Sequence, residues 1–173
     1  MTITAPQSVV ITLVALACIA DIRTRRIPNV LTFGAAIAAL LFHGITAGTS
    51  GLAAGVGGWI LGAALFFPMF ALRGMGAGDV KLLAAVGAWL GPVQVVSVAL
   101  ITSIAGGAIA VVVSLMHGYL RAALTNLWML LMHWRISGIQ PLPAVTLEGA
   151  RGPRLAYAIP IGIGTVATLW LKS

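Results

Sequence analysis

The chain has 173 residues, of which 60% are hydrophobic and only 8% charged, and its mean hydropathy is +1.08. A soluble domain carries about a quarter charged residues, so this composition excludes a water-covered surface and puts the chain in lipid. The net charge of +7 does not imply nucleic acid, because the basic residues form no stripe on a soluble face; they read as topology signals and contacts to anionic lipid.

The first apolar run, Pro6 to Ile22, lacks the basic n-region of a cleaved signal peptide and reads as a permanent span. It contains the single cysteine, Cys18, which has no partner for an intramolecular disulfide. Arg23, Arg25 and Arg26 follow. A second run covers Val30 to His43, extending toward Thr46, and an uncharged turn is expected over Gly44 to Gly51. The third span is Leu52 to Leu72, closed by Arg73 and a loop from Gly74 to Gly78. The fourth starts at Val80 and meets Gly91-Pro92. It is short for a span, since a crossing takes about 20 residues. The fifth is Val93 to Met116 and the last Leu155 to Leu171. Between these two, Leu120, Leu124, Leu127, Leu131 and Trp134 recur at helical spacing between Arg121 and Arg135. This pattern predicts an interfacial helix with its tryptophans at headgroup depth. Gly138 to Pro153 reads as a Gly- and Pro-rich cytoplasmic loop holding Glu148. The expectation is an all-α polytopic membrane protein: about six transmembrane helices plus one interfacial helix, forming a single domain over residues 1–173.

With the N-terminus outside, nine of the ten Lys and Arg residues fall on the cytoplasmic side, as the positive-inside rule favours. Glycine pairs four residues apart (Gly51/Gly55, Gly58/Gly62, Gly87/Gly91) are compatible with close helix packing, and equally with ordinary membrane glycines.

The same topology puts two of the three acidic residues at one depth. Asp21 lies at the cytoplasmic end of span one and Asp79 at the cytoplasmic start of span four. An ionisable group at membrane depth marks a functional candidate. Two carboxylates sharing a low-dielectric site divide their roles: one accepts a proton from water while the other, protonated, polarises a scissile carbonyl. Gly76 and Gly78 would let backbone approach a peptide closely, or take positive φ. Plainer roles stand beside this one. Asp79 could cap the fourth helix or neutralise Lys81, and Asp21 could pair with Arg25.

Asp21-Ile-Arg-Thr-Arg-Arg-Ile-Pro-Asn29 followed by Gly76-Ala-Gly78-Asp79-Val-Lys81 resembles the two signatures of the type IV prepilin peptidases, the second being the GxGD motif. Ala156-Tyr157-Ala158-Ile159-Pro160 is similar to the family's closing segment. The resemblance spans essentially the whole chain. It implies a metal-independent, cofactor-free aspartyl endopeptidase that removes basic leaders from type IV prepilins and pseudopilins at the cytoplasmic face of the bacterial inner membrane. Carried over, Asp21 and Asp79 are the catalytic pair, and Gly76 and Gly78 shape the loop. Lys81 is either a positive-inside anchor or an electrostatic tuner of the pair, and Pro28 and Asn29 are structural. Larger members carry an N-terminal cysteine-bearing region associated with N-methylation. Its counterpart is not in this sequence, so methyltransferase activity is not expected, and the short form resembles the Flp-type (Tad) peptidases.

Other chemistries fit less well. Gly48-Thr49-Ser50-Gly51 matches a rhomboid-like pattern, but the topology separates Ser50 from His117. Cys18 has no neighbouring base. His43, His117 and His133 lack metal-ligand spacing. A small transporter, whose acids would sit nearer the midplane, and an inactive pilus-assembly partner remain the non-enzymatic readings.

Overall fold

The computed structural model describes residues 4–138 and 156–171, which form six helices with no strand among them. In chain order these are α1 (Ala5–Thr24), α2 (Asn29–Ala71), α3 (Ala77–Leu90), α4 (Pro92–Met116), α5 (Leu120–Ser137) and α6 (Ala158–Leu171). Helices α1, α2 and α4 are long and apolar enough to cross a membrane. The chain is an all-α membrane protein. Glu148, Arg151, Arg154 and most of the expected Gly138–Pro153 loop lie outside the described residues.

At 43 residues α2 is too long for one crossing, since about 1.5 Å per residue gives about 65 Å against a hydrocarbon layer of about 30 Å. It is two arms meeting at Gly48, whose φ of 61° and ψ of −146° are non-helical. Only glycine takes such angles without strain. The contacts of the arms show the chain reversing there. Along the first arm, Asn29 and Phe33 meet Lys81, while His43 meets Trp89. Along the second, Gly58 meets Gly87, and then Gly62 meets Leu83. The first arm therefore runs parallel to α3 and the second antiparallel to it. The expected eight-residue turn over Gly44 to Gly51 is in fact a reversal at one glycine, with helix on both sides. The first arm, from Asn29 to Ala47, contains no charge or proline to end it earlier.

Helix α3 is the centre of the bundle. It packs against α1, α2, α4 and α6, and every residue from Asp79 to Trp89 except Lys81 is buried. Lipid tails are as apolar as leucine, so burying leucine drives little association here; close van der Waals packing must do it. The glycines provide that approach. A methyl group on Gly58 would collide with the Gly87 carbonyl oxygen, and one on Gly62 would sit 2.6 Å from that of Leu83. Helix α6 meets α4 in the same way, with a methyl on Gly164 falling 2.7 Å from the Val98 carbonyl oxygen. Of the three glycine pairs, Gly58/Gly62 and Gly87 thus line the α2–α3 seam.

At 14 residues α3 and α6 each rise only about 21 Å. Helix α5 forms where the leucine spacing predicts it. Among the described residues it packs only against α4, leaving Leu124, Leu127, Trp128 and Leu131 exposed.

Candidate active site

Helix α1 buries Val10, Leu13, Val14, Ala17 and Asp21, a stripe at about 3.6-residue spacing. Asp21 is the last member of that stripe, one turn beyond Ala17, and the helical period turns its carboxylate inward with 8% of its surface exposed. The helix stops just after it. Arg25 takes a left-handed conformation (φ 54°) and its N–H donates to the Asp21 carbonyl at 2.9 Å, a short-range stop of the kind usually built on glycine. Pro28, with φ −62°, then starts α2.

Asp79 enters from the other signature. Gly76 is the N-cap of α3 and Asp79 its third residue. The Gly76 N–H donates to Asp79 Oδ2 at 3.3 Å, the acidic half of a capping box. Asp79 is 9% exposed. The capping role that the sequence allowed is therefore real, and it holds the carboxylate at a fixed place rather than excluding a second use.

Gly76 and Gly78 both have work to do, though not through positive φ. Gly76 has φ −76°, and a methyl there would stand 3.1 Å from Asp79 Oδ2. Gly78 falls inside the first turn of α3, not in the preceding loop, and its bare face receives Ile27, whose Cβ would be 3.3 Å from an added methyl. The two signatures thus touch through Ile27 and Gly78. They touch again where Lys81 Nζ donates to Asn29 Oδ1 at 3.0 Å, with the ammonium 5.5 Å from the centre of the Phe33 ring. Asn29, read from the sequence as structural, has as its partner a lysine 52 residues away.

Asp21 and Asp79 lie close enough for their charges to interact. What completes the site comes from the closing segment. Asp21 Oδ2 accepts from the Ala158 N–H at 3.3 Å. Ala158 opens α6, so Asp21 satisfies one of the orphan N–H groups that every helix start presents. Cys18 Sγ, one turn back, donates to the Ala158 carbonyl at 3.2 Å, which ties α1 to α6 a second time. Next to Ala158, Tyr157 lies in the field of the Asp79 charge. Neither Tyr157 nor Ala158 was marked by residue chemistry alone, because a backbone donor carries no signature in sequence.

Ser50 lies beside the Gly48 reversal and His117 at the end of α4, toward the aspartate end, so no serine–histidine pair forms. Among the described residues, no three His, Cys, Asp or Glu side chains converge as a metal-binding group.

Two buried carboxylates, brought from segments 58 residues apart to one end of a helical bundle and each held by a backbone N–H, constitute a site able to position and activate water. The profile of the type IV leader peptidase family matches residues 8–111, a stretch that includes both signatures. The chain belongs to that family. Searches of curated proteins and of solved structures returned no match. Membership makes the chain a protease of the leader-peptidase type, with prepilins as the substrate class the family implies. The match ends before Tyr157 and Ala158, so their place beside the aspartates rests on the fold alone.

Proposed function

We propose that this leader-peptidase family member is an aspartyl endopeptidase in which Asp21 and Asp79 together activate the hydrolytic water, and that it removes the short basic leader of Flp-type prepilins. The observation that carries the reading is the meeting of Asp21 and Asp79, two of the chain's three acidic residues, at one buried site. In this mechanism the ionised carboxylate takes a proton from water as the oxygen attacks the scissile carbonyl. The protonated partner donates a hydrogen bond to that carbonyl and then supplies the proton the leaving amine requires. Ala158 and Gly76 hold the two carboxylates in register through their N–H groups. Gly76 leaves room for the Asp79 carboxylate and Gly78 for Ile27, and Lys81 anchors the first turn of α3 through Asn29.

The site faces the cytoplasm in this proposal, with the N-terminus outside. Arg23, Arg25, Arg26, Arg73 and Lys81 all flank the aspartate end, and the positive-inside rule assigns such an end to the cytoplasm of a bacterial inner membrane. Six crossings then follow from α1, the two arms of α2, α3, α4 and α6, with α5 lying at the interface against anionic lipid.

The test is a mobility-shift assay with purified protein in detergent and Flp-type prepilins. Cleavage by the wild type and none by Asp79→Asn is the expected result. If folded wild type cleaves none of several prepilins, the transporter and inactive-partner readings take over.

A further inference from the structure

The start of α6 reaches both aspartates. Ala158 binds Asp21 through its backbone. Tyr157, the residue before it, is half-buried, with its phenol in the field of Asp79. The Tyr157 ring is held from two sides. Phe66 of α2 meets it edge to face, ring centres 6.1 Å apart. Gly106 of α4 lies under it so closely that a methyl there would stand 2.8 Å from the hydroxyl oxygen, 3.1 Å from Cζ and 3.2 Å from Cε2. The hydroxyl oxygen and two ring carbons would meet that methyl at once, so rotating the hydroxyl hydrogen would not relieve the clash; the ring itself would have to move. Gly106 is thus a seat for a flat aromatic ring, and the ring is one peptide bond from the N–H that holds Asp21.

We infer that Tyr157 is a positioning residue for the aspartate pair: its ring, seated on Gly106 and against Phe66, fixes the start of α6 so that Ala158 holds Asp21, while its hydroxyl forms part of the wall beside Asp79. The inference deepens the peptidase reading and rests on it for its kinetic consequences. Asp79 feels burial, the Asp21 charge from α1 and the Gly76 N–H from its own cap, and its own charge reaches Tyr157 at the start of α6; Lys81 is engaged by Asn29. Moving the Tyr157 ring shifts the Ala158 N–H that holds Asp21, and through Asp21 the charge that acts on Asp79, without removing either carboxylate.

Two measurements on the full-length protein in detergent test this. The first is prepilin cleavage against pH. Tyr157→Phe, which keeps the ring, is expected to retain KM and lose about threefold in kcat, with a displaced pH profile. Gly106→Ala, which displaces the ring, is expected to lose tenfold or more in kcat. The second needs no activity: labelling of Asp79 by a hydrophobic carbodiimide, which reacts with protonated carboxyls, followed by mass spectrometry across pH. Its midpoint is expected to move in both variants. A midpoint and pH profile identical to wild type in both, with only thermal stability lowered, would reduce Tyr157 to a packing residue and overturn the inference. If the wild type cleaves nothing but the labelling midpoint still moves, the positioning of Asp79 by Tyr157 stands and the peptidase reading falls.

Discussion

The two ends of α3 are built on different physics. At its N-terminal end, polar side chains make the contacts: Asp79 accepts from the Gly76 N–H, Asp21 from the start of α6, and Lys81 donates to the Asn29 side chain. At its C-terminal end, backbone meets backbone. Gly87 lies against Gly58 with no room for a methyl on either, and His43, Phe42 and Trp89 close the seam, with His43 Nε2 bonded to the Trp89 carbonyl at 3.1 Å. One end holds carboxylates where burial is costly; the other holds helices together where the hydrophobic effect gives little. Substitutions at the first should cost catalysis, and substitutions at the second should cost the fold.

The largest effect expected is at the carboxylates. Asp21→Asn and Asp79→Asn should each reduce prepilin cleavage by about 10²–10⁴-fold, the usual contribution of a general acid or base. Thermal unfolding in detergent should be unchanged or slightly later, because each change removes a buried ionisable group. A variant that unfolds early while its folded fraction still cleaves would break the division. At the opposite end Gly87→Val should do the reverse. Its added carbons meet the Gly58 backbone, which cannot rotate away, so the α2–α3 seam must open at a cost of about 3 kcal/mol. Unfolding and loss of cleavage should then coincide. Next comes His43→Ala, which removes one hydrogen bond and two ring contacts, about 1 kcal/mol of stability, and should leave kcat within twofold. If kcat fell further, the far end of α3 would be coupled to the chemistry.

How much of this was legible beforehand follows the same division. The helices, α5 among them, and the placement of Asp21 and Asp79 at one end of the bundle could be read because apolar runs and charges report directly on lipid. The reversal of α2 was legible only as a region, since its location depends on a single glycine's dihedral angles, and eight residues around it are all small or uncharged. Gly78 could be seen as important but not why: its role is to receive Ile27, a residue of the other signature. Ala158 was out of reach altogether, because what it contributes is an N–H that every residue but proline possesses. Tyr157 carried one signal, an aromatic within the closing segment, and only the fold turns that into a neighbour of Asp79.

The smallest expected effect is also the sharpest measure of how the functional end is held. Lys81 and Asn29 join the two signatures through one hydrogen bond at the surface of the bundle, where Asn29 is exposed. Such a bond contributes about 0.5 kcal/mol, because solvent competes for both partners. Asn29→Ala, Lys81→Met and the double variant form a cycle in which a coupling of that size should appear in unfolding. Lys81→Met should cost slightly more than Asn29→Ala, because it also removes the ammonium from the Phe33 ring. The cleavage rates decide what the bond is for. A coupling in kcat matching that in stability means that the bond steadies the first turn of α3 and hence Asp79. A coupling in stability with none in kcat means that Gly76 and the Ile27–Gly78 contact hold Asp79 unaided, and that Lys81 serves the membrane boundary alone.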